Sequence, residues 1–245
     1  MHQERSYRNQ VRHETMQSFH IAVKETDLCI HASQRMDVLA KELVLECRAY
    51  IEAYIKNHPA FGTTLVPWRM PNPAPNIIAA MTAAGRQAGV GPMAAIAGAI
   101  SEYVGRGLLD HIEEVIVENG GDVFIKCNEP ITVGVYAGKS PLSLRVGLRV
   151  DSSHNPMAVC TSSGTVGPSL SLGQADAVSI VSESCALADA AATAIGNRVR
   201  TPTDIQDAIA YGQKIEGVQA ILVILDDKLG VWGNIDIIPL HGKKG

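Results

Sequence analysis

Residues 187–197 read LADAAATAIGN, and this alanine run constrains the fold more than any other stretch of the chain. Alanine loses no side-chain entropy in a helix, so the run predicts one. Its side chains are so short that neighbouring elements can approach closely, and the helix is expected to lie packed against a sheet. Asp189 and Thr193 stand four residues apart and therefore share a face of that helix. Two hard oxygen donors without bulky neighbours suit Mg²⁺ and the phosphate it carries. The spacing is equally served by a structural role, in which an aspartate near a helix start complements the helix dipole.

The chain around this run has 245 residues, 46% of them apolar, enough to bury a large core. That size fits a single domain over 1–245, with room for two packed lobes, residues 1–66 and 76–245. The net charge is -4 and no stretch concentrates Lys and Arg, which excludes a nucleic-acid surface. Aromatic residues make up only 4%, too few for base-stacking platforms. The five cysteines (Cys29, Cys47, Cys127, Cys160, Cys185) are odd in number and form no CxxC pair, as expected in a reducing compartment. The opening MHQERSYRNQVRHE is polar and does not read as a signal peptide. Residues 93–109 are small and apolar but are interrupted by Glu102 and Arg106, and the stretch is too short and polar to span a bilayer. A cytoplasmic protein with no membrane partner is expected. The alanine-rich surfaces would tolerate close subunit contact, so a homo-oligomer fits.

Periodicity places the other elements. Phe19, Ile21 and Val23 alternate with polar residues, and a second strand follows a turn near Thr26-Asp27. Leu39, Leu43, Cys47, Tyr50 and Tyr54 recur at helical spacing over residues 35–57, with His58-Pro59 as the stop. Helices are predicted over 76–88 and 92–109, and strands over 114–118, 123–126, 131–137, 142–150 and 178–181. Residues 203–213 read as a helix, and a closing hairpin runs through 220–225 and 231–238. Helices and strands mix without a βαβ alternation, so the class is α+β.

Three glycine-marked turns border small-residue segments: 89–92, 119–122 and 161–167. Free backbone N–H groups beside helix starts bind anions, so these turns fit one phosphate-bearing ligand or, taken singly, three ordinary turns. His154, in the turn-rich DSSHNP, is a candidate catalytic group or a surface histidine. Cys160 enters the loop Thr161-Ser162-Ser163-Gly164, where it reads as an activated thiol or a small core residue. Cys185, near the start of the alanine helix, carries the same two readings. Glu118 and Asp122 flank the double glycine as a carboxylate pair or as solvated strand ends.

Asn119-Gly120-Gly121-Asp122 after an apolar strand resembles the asparagine/glycine turn of the ApbE-like flavin transferase superfamily. Residues 188–194, ADAAATA, resemble that superfamily's metal-binding helix, whose pattern is Ala-Asp-Ala-x-Ala-Thr-Ala. Residues 94–102 are similar to its alanine/glycine helix, and residues 217–230 to its closing strands. The whole run 91–197 looks like an uncharacterised branch of the superfamily. The resemblance implies an ApbE-like core of mixed sheets that binds FAD or FMN with Mg²⁺. Asp189 and Thr193 would ligate the cation through side-chain oxygens, with backbone carbonyls from Ala192 and near Ile96. Asn119, Gly120, Gly121 and Asp122 would line the nucleotide, joined by the loop residues Ser162, Ser163, Gly164 and Thr165. The implied activity is FMN transfer to a protein hydroxyl or hydrolysis of the FAD pyrophosphate. The alternative is a non-catalytic accessory protein, which the branch links with sulfide assimilation and homocysteine formation. The chain departs from the flavin transferases at three places. Ala97 stands where they carry a lysine, Pro168 stands where branch members carry a histidine, and no histidine lies between His154 and His241.

Overall fold

The computed structural model describes residues 16–70, 73–164 and 172–240. It is an α+β fold in which helices cover one face of a long antiparallel sheet. Strands β1 (Gln17–Val23), β2 (Thr26–Ala32), β3 (Val115–Asn119), β4 (Asp122–Lys126), β7 (Met157–Ser162), β8 (Ala177–Ser182), β9 (Val218–Leu225) and β10 (Lys228–Gly233) pair in that order. Strands β5 (Ile131–Gly134), β6 (Val146–Val150) and β11 (Asp236–Pro239) form a second, three-stranded antiparallel sheet. The helices are α1 (Asp37–Asn57), α2 (Asn76–Ala88), α3 (Ile96–Leu109), α4 (Cys185–Gly196) and α5 (Ile205–Gly212).

Side chains alternate across a strand, so the central strands β3, β4, β7, β8 and β9 of the long sheet feed two cores. Phe19, Ile30, Val117, Phe124, Ala158, Ile180 and Val223 face the helices. Ile116, Val123, Ile125, Val159, Val181 and Leu222 face the small sheet. With both faces covered over much of the sheet's width, the central strands are buried on nearly every residue, as in the wholly buried AVSIVS of β8.

The strands expected over 131–137 and 142–150 shorten to β5 and β6, residues 92–95 form a 3-10 turn before α3, and three other expectations shift. The first hairpin turns at Lys24-Glu25 instead of Thr26-Asp27, because Thr26 is buried in the ladder and Lys24 takes the positive φ of 54° that the turn needs. On α1 the buried stripe is Ala40, Val44, Cys47 and Ile51. Leu39, Leu43 and Tyr54 only flank it, and Tyr50 is exposed. The closing segment does not run as one strand: it breaks after Gly233, and β11 crosses to the small sheet beside β6.

Candidate functional site

The alanine helix is buried almost all round. Every residue of α4 is buried except Asp189 and Thr193, which are both partly exposed. A helix packed on every side has one polar opening, and the two oxygen-bearing side chains stand in it. Ser184 caps the helix by accepting the Leu187 N–H at 3.3 Å.

Four elements meet around this opening. The turn 119–122 joins β3 to β4, with Gly120 and Gly121 at φ of 69° and 115°. A Cβ is rarely tolerated at such angles, so the tight bend depends on glycine at both positions. Register puts Asn119 opposite Asp122 and Asp122 opposite Cys160. All three therefore project toward the helices. The Asn119 amide donates to Ala97 O at 3.2 Å, and the Ser101 hydroxyl donates to Asp122 O at 3.0 Å, so the start of α3 is tied to the bend. The Gly98 N–H donates to Asp189 Oδ2 at 2.9 Å, fixing the carboxylate. Gly121 N–H donates to Glu118 Oε1 at 3.1 Å, and Thr161 N–H to Gly121 O at 3.2 Å.

Gly98 is what allows α3 and α4 to meet so closely. A Cβ there would lie 2.3 Å from Cys185 O and 2.9 Å from Asp189 Cβ. The close approach places the Gly98 N–H within reach of Asp189.

Two carboxylates are thus enclosed together. Burial raises the Asp189 pKa to about 7. The residue as a whole is partly exposed, but its carboxylate is surrounded by protein, and burial is the largest cause of the shift. Burial, followed by the charge of Asp189, pushes Asp122 well above the ordinary carboxylate range. Two carboxyl groups in one low-dielectric recess resist ionising together, a penalty that a bound cation would relieve. The donors Asp189, Asp122 and Thr193 are all oxygens, the set that Mg²⁺ selects. The site fits that ion.

The start of α4 is not an anion site. Glu102, from α3, accepts the Cys185 N–H at 2.8 Å and approaches the Ala186 N–H at 3.5 Å, and its other oxygen pairs with Arg106. A protein carboxylate already satisfies the positive helix end. Glu102→Ala is expected to lower stability by roughly 1–3 kcal/mol through these orphaned amides. Urea unfolding measures it, and a loss below about 0.5 kcal/mol would contradict the plug.

The remaining candidates separate. Cys160 is wholly buried, with Sγ 3.4 Å from Cys185 Sγ and 3.3 Å from Cys185 O. Burial pushes its thiol well above the ordinary range, and that of Cys185 to about 11, so both are protonated core groups and neither is an activated thiolate. His154 is exposed and lies in the loop that enters β7, whereas Cys160 is near the far end of that strand. The length of β7 separates this histidine from Asp189. Ser162, Ser163 and Gly164 leave β7 on the bend side, and the Gly164 N–H bonds to Ala175 O at 2.8 Å. Thr165 lies outside the described residues. Ala192 is buried on α4, and Ile96 opens α3. Sequence reasoning missed Glu102 and Ser101, whose partners lie in other elements.

A family model described as AbpE bacteria matches residues 8–230. The chain is 38% identical over 221 residues to a UPF0280 protein of Methanococcus aeolicus, covering 88% of this chain and 89% of the relative. It is 39% identical over 219 residues to a UPF0280 protein of Methanosarcina barkeri, covering 88% and 86%. Among solved structures it is similar to the ApbE protein of Thermotoga maritima, with a TM-score of 0.54 and 14% identity, covering 88% of this chain and 96% of that one. The apo flavinyl transferase ApbE of Pseudomonas stutzeri gives a TM-score of 0.53 at 12% identity, covering 89% and 93%. These structural likenesses establish the shared fold.

Proposed function

The chain belongs to the AbpE bacteria family, and on that premise we propose that it is a Mg²⁺-dependent protein that binds FAD and acts at its pyrophosphate. One observation carries the reading. The only partly exposed positions of α4 are Asp189 and Thr193, and they open beside a second enclosed carboxylate and a double-glycine bend. Solved relatives of the same fold include a flavinyl transferase.

Asp189 and Thr193 would hold the cation, with Asp122 beside them. When bound, Mg²⁺ supplies Lewis-acid charge neutralisation at a pyrophosphate oxygen. The chain's own residues supply position. Gly98 N–H fixes the Asp189 carboxylate, and Asn119 holds the bend against α3. Asp122, whose carboxyl is pushed well above the ordinary range by burial and by Asp189, would supply a further oxygen donor there. The bend 119–122 and the segment 162–164 would line the nucleotide. Binding without turnover is the second reading. It is favoured by the protonated Cys160 and the remote His154, which leave neither as the base for an acceptor hydroxyl.

Titration calorimetry with FAD, with and without Mg²⁺, tests the binding, and chromatography of the same mixtures tests the chemistry. Mg²⁺-dependent binding with release of AMP and FMN supports action at the pyrophosphate. Tight binding with FAD intact supports the second reading, and no binding in either condition overturns both. His154→Ala should leave the FAD affinity within about twofold of the parent protein, since a distant exposed side chain contributes little. A tenfold loss would bring the β6–β7 loop into the site.

A further inference from the structure

The sheet face away from the helices carries a cluster of histidine and cysteine side chains on β1 and β2. In the β1–β2 ladder His20 stands opposite Cys29, and Ser18 opposite His31. Their neighbours Phe19 and Ile30 point into the helix-side core, so these four side chains share the other face. Cys29 Sγ lies 3.6 Å from His31 Nε2 and 4.0 Å from His20 Nε2. Tetrahedral zinc, with sulfur at about 2.3 Å and imidazole nitrogen at about 2.0–2.1 Å, separates those two ligands by about 3.6 Å. The Cys29–His31 pair already has that spacing, and the Cys29–His20 pair exceeds it by about 0.4 Å. Among the described residues no three such groups are closed around one point as they stand. His20 is exposed on β1, at the sheet edge, so its ring is free of core packing and can rotate inward to complete the set.

Ser18 Oγ lies 2.7 Å from His31 Nδ1. That contact engages one ring nitrogen and leaves Nε2 directed at the sulfur, the arrangement by which an outer hydrogen bond orients a metal-bound imidazole.

We infer that His20 Nε2, Cys29 Sγ and His31 Nε2 form a site for a borderline transition-metal dication of the zinc class, with Ser18 orienting His31 and water as the fourth ligand. Binding breaks the Cys29 S–H bond, the sulfur pair passes to the metal, and the proton leaves to solvent with no change of oxidation state. Nitrogen and sulfur donors select such an ion over Mg²⁺, whereas the oxygen set at Asp189 selects the reverse. The two sites lie on opposite faces of the sheet, and this one stands whether or not the nucleotide reading does. The metal would staple edge strand β1 to β2. Cys29 is opposite Glu118, whose Oε1 holds the Gly121 N–H, so the staple lies one strand from the glycine bend.

The experiment is a Co²⁺ titration of the reduced, metal-free full chain in excess Mg²⁺, which keeps the oxygen site out of play. The expected result is one equivalent bound, with a thiolate-to-cobalt charge-transfer band and the intense visible bands of four-coordination, all removed by Zn²⁺. Cys29→Ser should abolish the charge-transfer band. His20→Ala and His31→Ala should each weaken binding by about tenfold or more, and Ser18→Ala by roughly tenfold. A wild-type spectrum without the charge-transfer band, or the same band in Cys29→Ser, would each overturn the site.

Discussion

Asp189→Ala is expected to lower the proposed Mg²⁺-dependent affinity for FAD by about 100-fold or more, beyond the 10–100-fold typical of losing an outer hydrogen bond to a ligand. The carboxylate stands in the one opening of a helix that is otherwise buried, and no other α4 side chain can replace it. The metal-free protein should respond in the opposite sense. Burial raises the folded-state pKa of Asp189 to about 7, above the ordinary aspartate value near 3.9 of an unfolded chain. The folded state then binds the proton more tightly than the unfolded state. This stabilising contribution is fully present below about pH 4 and is lost as pH rises through about 7. Asp189→Asn retains an acceptor for the Gly98 N–H but carries no charge. In EDTA its melting temperature should therefore fall less between pH 4 and 8 than that of the parent, and Mg²⁺ should raise the parent's melting temperature at pH 8 while leaving the variant unchanged. Thermal unfolding in both buffers decides it. Equal pH slopes for the two proteins would remove Asp189 as the titrating group.

Gly98→Ala carries the largest expected effect on the scaffold. The new Cβ would sit 2.3 Å from a backbone oxygen, Cys185 O, which belongs to the first turn of α4 and cannot swing aside as a flexible side chain would. The helices must separate, at a cost of about 1–3 kcal/mol or more. The separation also lengthens the bond from Gly98 N–H to Asp189, so the cation site degrades with the packing. Urea denaturation and Mg²⁺-dependent FAD binding measured on the same preparation should both fall. A variant as stable as the parent would mean that α3 and α4 have more slack than their contact implies.

Much of this arrangement was legible in the sequence because it is local. The helix 76–88 and the glycine bend at 119–122 announce themselves through periodicity and turn residues, and both stand where they were expected. The alanine run was legible as a helix, and the ApbE-like resemblance is borne out by the family match. What stayed hidden depends on partners far along the chain. Glu102 meets the Cys185 N–H across 83 residues, and no spacing within either segment foretells it. Asp122 read equally well as a solvated strand end. Its enclosure follows from the β4–β7 register and the placement of α4, which bring Cys160 and Asp189 to it. Apart from Cys47, the α1 stripe slipped by one position because Leu39 and Ala40 are both apolar and only packing decides which is innermost. Cys160 was ambiguous for the same reason: a thiol at a strand end is reactive or inert according to what covers it, and here α4 covers it.

The most direct measurement is anomalous scattering from a crystal of the full chain grown with FAD and Mn²⁺ standing in for Mg²⁺. The account predicts one strong peak in contact with the Asp189 carboxylate and the Thr193 hydroxyl, with the FAD phosphates bound to it and lying along residues 119–122. A peak remote from α4, or phosphates away from the bend, would contradict it.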